Sequence, residues 1–364
     1  VKVHVVDPSA YTPPYDHALA AALAAAGVDV ELFTSRFLYG ELPAAEGYVR
    51  RELFYRHARG AAGSLLRRAS KLAEHPLDML RYRSAARSAD VVHFQWLTIP
   101  RLDAHLLPRG RPLVITAHDI LPREQAAGSV AAQRRLLQRF DAVIAHSQDG
   151  RTRLIDTLAL DPARVHTIAH GAFSHLAAQP PAALPAELTE PTKPVVLYFG
   201  LLRPYKGLDV LIEAWQQVAD AELWIVGRPR MDIEPLRAKA GPSVKWVPRF
   251  VSDAELAACF RRADIVVLPY REIEQSGVLA SALAFGSPLI LSDVGGFGEV
   301  AAAGAAQLVP AGDAAALTTA LSELLANPQE RARLSGAARA LAGGAASWKH
   351  VAERTKALYA QLLS

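Results

Sequence analysis

The chain has 364 residues, of which 51% are apolar, with 40 Lys+Arg against 36 Asp+Glu and a single cysteine. That length exceeds what one hydrophobic core fills, and the apolar content excludes a disordered chain, so two globular domains are expected. The lone thiol, Cys259, excludes a disulfide framework, no apolar run approaches the roughly 18–20 residues of a membrane span, and a formal charge of +4 gives no reason to expect nucleic acid as a partner; a cytoplasmic protein is expected. In chain order, strands are predicted at Val1–Val6, Val28–Phe33, Val91–Phe94, Leu113–Thr116, Ala142–Ala145 and Val165–Ile168, with helix formers at Ala18–Ala26 between the first two. From Arg50 to Arg87 ten Lys/Arg accompany three Asp/Glu, interleaved with leucines and aromatic residues. Such a mixture suits a segment lying on an anionic membrane surface, which would make the protein peripheral at the inner face of the membrane. Ala177–Lys193 carries Pro180, Pro181, Pro185 and Pro191 and reads as a linker. The strand rhythm then resumes at Val195–Phe199, Leu223–Val226, Val244–Val247, Ile265–Leu268, Leu289–Leu291 and Ala306–Leu308, and helices are predicted at Asp313–Leu325, Pro328–Leu341 and Trp348–Leu363.

This alternation predicts the α/β class with two successive doubly wound parallel sheets. The expected domains are 1–180 and 181–345, with a terminal helix over 346–364 that packs back on the first. Ligands of such sheets bind beyond the carboxyl ends of the strands. One such turn, Gly200–Asp209, places Arg203 and Lys206 three residues apart ahead of a helix start, an arrangement suited to a diphosphate. A second, Pro269–Leu279, offers Ser276 as a helix cap with Gly277 and Val278 behind it, and a third, Ser292–Glu299, is glycine-rich.

These motifs, together with Trp224-Ile225-Val226-Gly227, Pro248-Arg249-Phe250-Val251-Ser252-Asp253, Ala284-Phe285-Gly286-Ser287-Pro288 and the first-half elements Thr116-Ala117-His118-Asp119, Ala145-His146-Ser147 and Ala169-His170-Gly171, resemble glycosyltransferase family 4. The resemblance implies the GT-B fold, two Rossmann-like domains facing a central cleft, and retaining transfer of a hexosyl unit from a nucleoside diphosphate sugar to a hydroxyl acceptor in polysaccharide or glycolipid assembly. By the same resemblance Arg203 and Lys206 would grip the diphosphate, aided by Ser276, Gly277 and Val278, while Gly227 and the Arg249, Phe250, Val251 turn would flank the base. UDP is favoured over GDP as the donor nucleotide, the acceptor is a sugar or lipid-linked sugar held by the first domain, and no cofactor is expected. Asp-x-Asp is absent, so no metal site is expected.

The chain departs from the family where relatives carry two glutamates with seven residues between them, here Ile273 and Ser281. Glu272 and Glu274 flank the first position; Glu274 is the expected sugar-binding carboxylate, and Ser281 would offer a hydroxyl to the ribose. In the first domain Ser9, Tyr15 and Asp16 are the expected acceptor-binding residues. His118, at the end of the Leu113–Thr116 strand, is expected to hydrogen-bond the donor sugar as a neutral imidazole. Two other readings stay open: a catalytically silent sugar-nucleotide-binding subunit of a glycan assembly complex, and a GT-B epimerase.

Overall fold

The computed structural model describes residues 1–38, 42–120, 129–273 and 275–364. The chain divides into two compact units, residues 1–171 with 348–364, and residues 172–347. The first holds a seven-stranded sheet of β1 (Lys2–Asp7), β2 (Asp29–Ser35), β3 (Val49–Phe54), β4 (Val91–Phe94), β5 (Leu113–Thr116), β6 (Ala142–Ala145) and β7 (Val165–Thr167). Its order is β3-β2-β1-β4-β5-β6-β7, with every pair parallel. The second holds β8 (Val195–Phe199), β9 (Glu222–Val226), β10 (Val244–Val247), β11 (Ile265–Leu268), β12 (Leu289–Ser292) and β13 (Ala306–Val309), ordered β10-β9-β8-β11-β12-β13 and again all parallel.

These strands read as unbroken apolar runs because helices cover both faces of each sheet. Along β8, Val195 and Leu197 enter one buried cluster while Val196 and Tyr198 enter the cluster on the opposite face. Along β1, Val6 joins one core and Val3 and Val5 the other. In each sheet the strand order reverses beside the first strand, between β1 and β4 and between β8 and β11, and the turns that leave those strands form the crevice where doubly wound folds hold ligands.

The divide between the units falls at Gly171, nine residues before the expected boundary at 180, and residues 177–193 are part of the second unit rather than a free linker. Leu188 is buried in that unit's core with Leu184 packed against it, and the Arg261 guanidinium donates to the carbonyls of Ala177, Gln179 and Pro180. The prolines leave those carbonyls free of sheet pairing, and an arginine fork takes them up. The Trp348–Leu363 helix belongs to the first unit, where it packs on the Pro13–Ala25 helix and the Tyr359 hydroxyl lies 2.6 Å from His93 Nδ1. Gly171 sits against the Trp348 indole with no room for a Cβ, so the chain leaves and re-enters the first unit at one place.

Candidate functional site

In the second unit the turn after β8 and the turn after β11 converge. Gly200 has φ +111°, and the point where a Cβ would stand lies 3.0 Å from Lys206 Nζ and 3.0 Å from Val278 Cγ2. The ammonium and the first turn of the Gly277–Phe285 helix therefore meet over one bare stretch of backbone. Gly207, at φ +66°, lets that turn pass under the Pro269 carbonyl, which any Cβ would overlap. Lys206 is only 7% exposed, and its ammonium stands 4.9 Å above the Tyr270 ring. Ser276 caps the helix by accepting from Leu279 N at 3.2 Å. Ahead of that cap, the first N–H groups of the helix point outward as donors. Arg203 is half-buried and makes no ion pair or hydrogen bond through its side chain among the described residues. An ammonium and a helix N-terminus meeting over Cβ-free backbone, with Arg203 earlier in the same turn, are groups of the kind that attract an anion.

The other predicted members of this unit divide. Gly227 packs its backbone on Gly200, so the turns after β8 and β9 abut. Arg249 is held by two carboxylates, Glu187 at 2.7 and 3.0 Å and Glu255 at 2.6 and 3.2 Å. Hydrogen bonding to Arg249 holds the Glu255 carboxyl down at about 2, and the same carboxylate closes a capping box with Ser252. The arginine thus ties the proline-rich segment to the Asp253–Arg262 helix, while Phe250 beside it is exposed and Val251 is buried. Ile273 is buried in the apolar core and Glu272 is exposed. Glu274 lies outside the described residues. Ser281 is buried and donates its hydroxyl to the Gly277 carbonyl at 3.0 Å, one turn back in its own helix.

In the first unit, β5 and β6 end in a ladder of rings. His118 is buried, stacked on Trp96 at 5.1 Å and met edge-on by Tyr15 at 4.7 Å. His146 donates Nδ1–H to the Ile168 carbonyl at 3.0 Å, so its Nε2 accepts, 3.4 Å away, from His118 Nδ1. The remaining nitrogen of His118 lies 3.1 Å from the Gln95 side-chain amide. Both nitrogens of His118 are therefore engaged inside this unit. Burial keeps the neighbouring imidazoles neutral, holding His146 near 4 and His170 near 3.

Tyr15 and Asp16, expected at the acceptor, are 3% and 1% exposed. The Tyr15 ring fills the centre of the ladder, against His146, His170 and Trp348 as well as His118. Burial, and then the charge of Asp7, pushes the Asp16 carboxyl well above the ordinary range; the neighbouring Asp7 accepts from the backbone N–H groups of Ser9, Tyr11 and Thr12. These two carboxyl groups fix the turn after β1, and Ser9, carried on that turn, lines a cavity. Sequence reasoning missed the polar groups that accompany it: the Ser9 hydroxyl lies 3.3 Å from that of Thr98, and Gln95 and Thr98 both follow β4. Their position at the order reversal of the sheet was the available signal.

Comparison with known proteins decides the family. The glycosyl transferases group 1 profile matches residues 193–327, and the Glycosyltransferase Family 4 profile matches residues 15–172. The chain belongs to glycosyltransferase family 4. It is 28% identical to the D-inositol 3-phosphate glycosyltransferase of Kineococcus radiotolerans, over 94% of this chain and 88% of that one. It is 30% identical to the alpha-maltose-1-phosphate synthase of Mycolicibacterium smegmatis, over 75% and 79%, and 41% identical to the phosphatidyl-myo-inositol mannosyltransferase of Mycobacterium leprae, over 45% and 46%. Among solved structures the sucrose-phosphate synthase of Thermosynechococcus elongatus superposes with a TM-score of 0.77 at 21% identity, covering 99% of this chain and 98% of the other. Anabaena HepE in complex with UDP gives 0.74 at 18% identity, covering 99% and 100%. The fold of this glycosyltransferase is GT-B, two parallel-sheet α/β units.

Proposed function

We propose that this family member is a retaining hexosyltransferase that uses a nucleoside diphosphate sugar, with UDP favoured over GDP, to glycosylate a hydroxyl of a sugar or lipid-linked acceptor in polysaccharide or glycolipid assembly. The observation that carries the reading is the buried Lys206 ammonium meeting the start of the Gly277–Phe285 helix over Gly200, with Arg203 unpaired beside it. As the nucleoside diphosphate departs, negative charge grows on a phosphate oxygen, and fixed positive groups lower the barrier where it grows. In this reading the acceptor attacks from the face the phosphate leaves, and that phosphate oxygen takes the acceptor proton, so the chain supplies no nucleophile. Arg203 and Lys206 provide the positive charge that a divalent cation would otherwise bring, and the reaction is metal-independent. The Tyr15–His118–His146 ladder acts as a rigid wall that positions the turns after β4 and β5. Incubation with labelled UDP-, GDP- and ADP-hexoses tests the donor, the anomer of the product tests retention, and a rate lost in EDTA would overturn the metal-free part. The second reading, a silent nucleotide-sugar-binding subunit, is favoured by Ile273 in the core where relatives carry a carboxylate; tight binding without turnover would select it.

The Leu65–Ala85 helix adds a location. It buries His75, Asp78, Met79 and Tyr82, while Leu65, Leu66, Leu72, Leu77 and Leu80 are between 49% and 79% exposed. At about 100° per residue these five leucines fall within an arc of about 140° on the side away from the buried face. Arg68 and Arg81 flank the stripe, and Arg83 lies within it. An apolar stripe bordered by cations suits an anionic lipid surface, so we place the protein peripherally at the membrane, as the charge of Arg50–Arg87 suggests. Sedimentation with anionic but not neutral vesicles, reversed by salt and weakened by Leu66→Ser with Leu77→Ser, is the expected result.

A further inference from the structure

The first unit contains a cavity of about 540 Å³, walled by the turn after β1, the end of β2 and the opening turns of the Leu65–Ala85 helix. Arg36, Arg67, Arg68 and Lys71 all line it, and no carboxylate does among the described residues. Four cations facing one space repel one another unless an anion joins them. Arg67 is anchored through Nη1 to the Ala58 carbonyl at 2.8 Å, while Arg36 and Arg68 make no side-chain ion pair or hydrogen bond among the described residues. Lys71 stands 4.3 Å over the Tyr55 ring. Its burial first, and then Arg67, hold its ammonium below the ordinary lysine range, and a bound anion would relieve both effects. The helix also begins at this cavity, with Ser64 as its cap, and contributes the positive end of its dipole.

The rest of the wall is uncharged, with apolar Phe37, Leu38 and Ile99 beside a group of polar side chains. The Tyr55 hydroxyl lies 2.7 Å from His75 Nδ1, and His75 Nε2 lies 2.6 Å from Asp103, with all three residues buried. Asp103 accepts from His75 Nε2–H, and the other ring nitrogen meets the Tyr55 hydroxyl, so the three side chains hold one another in place. Ser9 and Thr98 add a hydroxyl pair at 3.3 Å. A volume in the range of small-ligand pockets, with hydroxyls on one wall and cations on another, fits a polyol bearing an anionic group better than a neutral sugar.

We propose that this cavity is the acceptor pocket and that it selects an acceptor carrying a phosphate group, gripped by Arg36, Arg67, Arg68 and Lys71, with Ser9, Thr98 and Tyr55 meeting the polyol hydroxyls. The proposal rests on the reading of the first unit as the acceptor half of a glycosyltransferase. Free sugar phosphates and phospholipid headgroups share this chemistry.

Two binding arms on the full chain test it. In the first, titration calorimetry compares glucose 6-phosphate with glucose. The phosphate ester should bind at least about tenfold more tightly, Arg68→Gln with Lys71→Gln should abolish that difference, and Lys71→Arg should retain it. Lys206→Ala, altered in the other unit, should bind glucose 6-phosphate as the unaltered protein does. In the second arm, vesicles of phosphatidylglycerol replace the soluble ligand: pelleting that the double variant loses and glucose 6-phosphate competes away assigns the phosphate to a lipid headgroup, whereas phosphate-dependent binding in the first arm alone assigns it to a free ester. Equal affinity for glucose and its phosphate, with vesicle binding indifferent to Arg68 and Lys71, overturns the proposal. So does loss of phosphate binding in Lys206→Ala with retention in the double variant. Turnover of a sugar nucleotide without phosphate binding would overturn this inference alone and leave the donor reading standing.

Discussion

Replacing Lys206 by methionine removes one charge and little else. Methionine keeps most of the apolar stem within a site that leaves the lysine only 7% exposed, so the cavity left is small. The folded state loses an ammonium 4.9 Å above the Tyr270 ring, about 0.5–2 kcal/mol, and regains much of that because a buried charge no longer has to be desolvated. The melting temperature should therefore move by only a few degrees. The transition state loses more. If the ammonium meets an oxygen on which charge develops, its removal costs about 3 kcal/mol, or on the order of a hundredfold in kcat/KM. Initial rates of transfer, or of donor hydrolysis in the absence of acceptor, measured beside a thermal melt, separate the two effects. A kcat/KM within about threefold of the unaltered enzyme would refute the placement of the leaving phosphate at Gly200 and Lys206.

Three further outcomes follow from the geometry. Gly207→Ala puts a Cβ into the Pro269 carbonyl at a backbone φ of +66°, and urea unfolding should show a loss of more than about 1 kcal/mol together with weakened nucleotide binding. The raised carboxyl of Asp16 contributes stability that is present below the unfolded value near ~3.9 and is lost as pH rises through the folded value; Asp16→Asn should thus raise the melting temperature at about pH 8 and leave it little changed at about pH 4. Arg249→Ala frees Glu187 and Glu255, two partly exposed carboxylates, and should change the melting temperature little while nucleotide affinity stays within about twofold; a tenfold loss would give the guanidinium a direct part in holding the base.

Most strands were legible because both faces of each sheet are covered, so runs such as Val195–Phe199 and Ile265–Leu268 carry no polar residue to confuse them. The missed strand, β3, has the opposite character. It is an edge strand reading VRRELF, with half its residues exposed and one buried, and its arginines resembled part of a surface charge run. The boundary was misplaced because proline content reports what a segment cannot do in a sheet, not whether Leu184 and Leu188 find a core. In the second unit, the convergence of the Gly200–Lys206 turn with the start of the Gly277–Phe285 helix was readable from glycine and cation spacing. The roles of Tyr15 and Asp16 were not, because they depend on which way a helix is rotated, and that is fixed by Trp348, a residue more than three hundred positions away.

The return of the Trp348–Leu363 helix to the first unit changes the order in which this protein can be completed. Residues 172–347 leave the ribosome before the segment that covers the first sheet, so the later unit has its whole core available while the earlier one still lacks Val351, Ala352, Leu358 and Tyr359. Until those residues arrive, the His93 imidazole inside β4 lacks the phenol that satisfies its Nδ1, and one flank of the Pro13–Ala25 helix remains wet. A nascent chain stalled before Trp348 would therefore present a finished second half and an open first half, the reverse of the sequence in which the two were made.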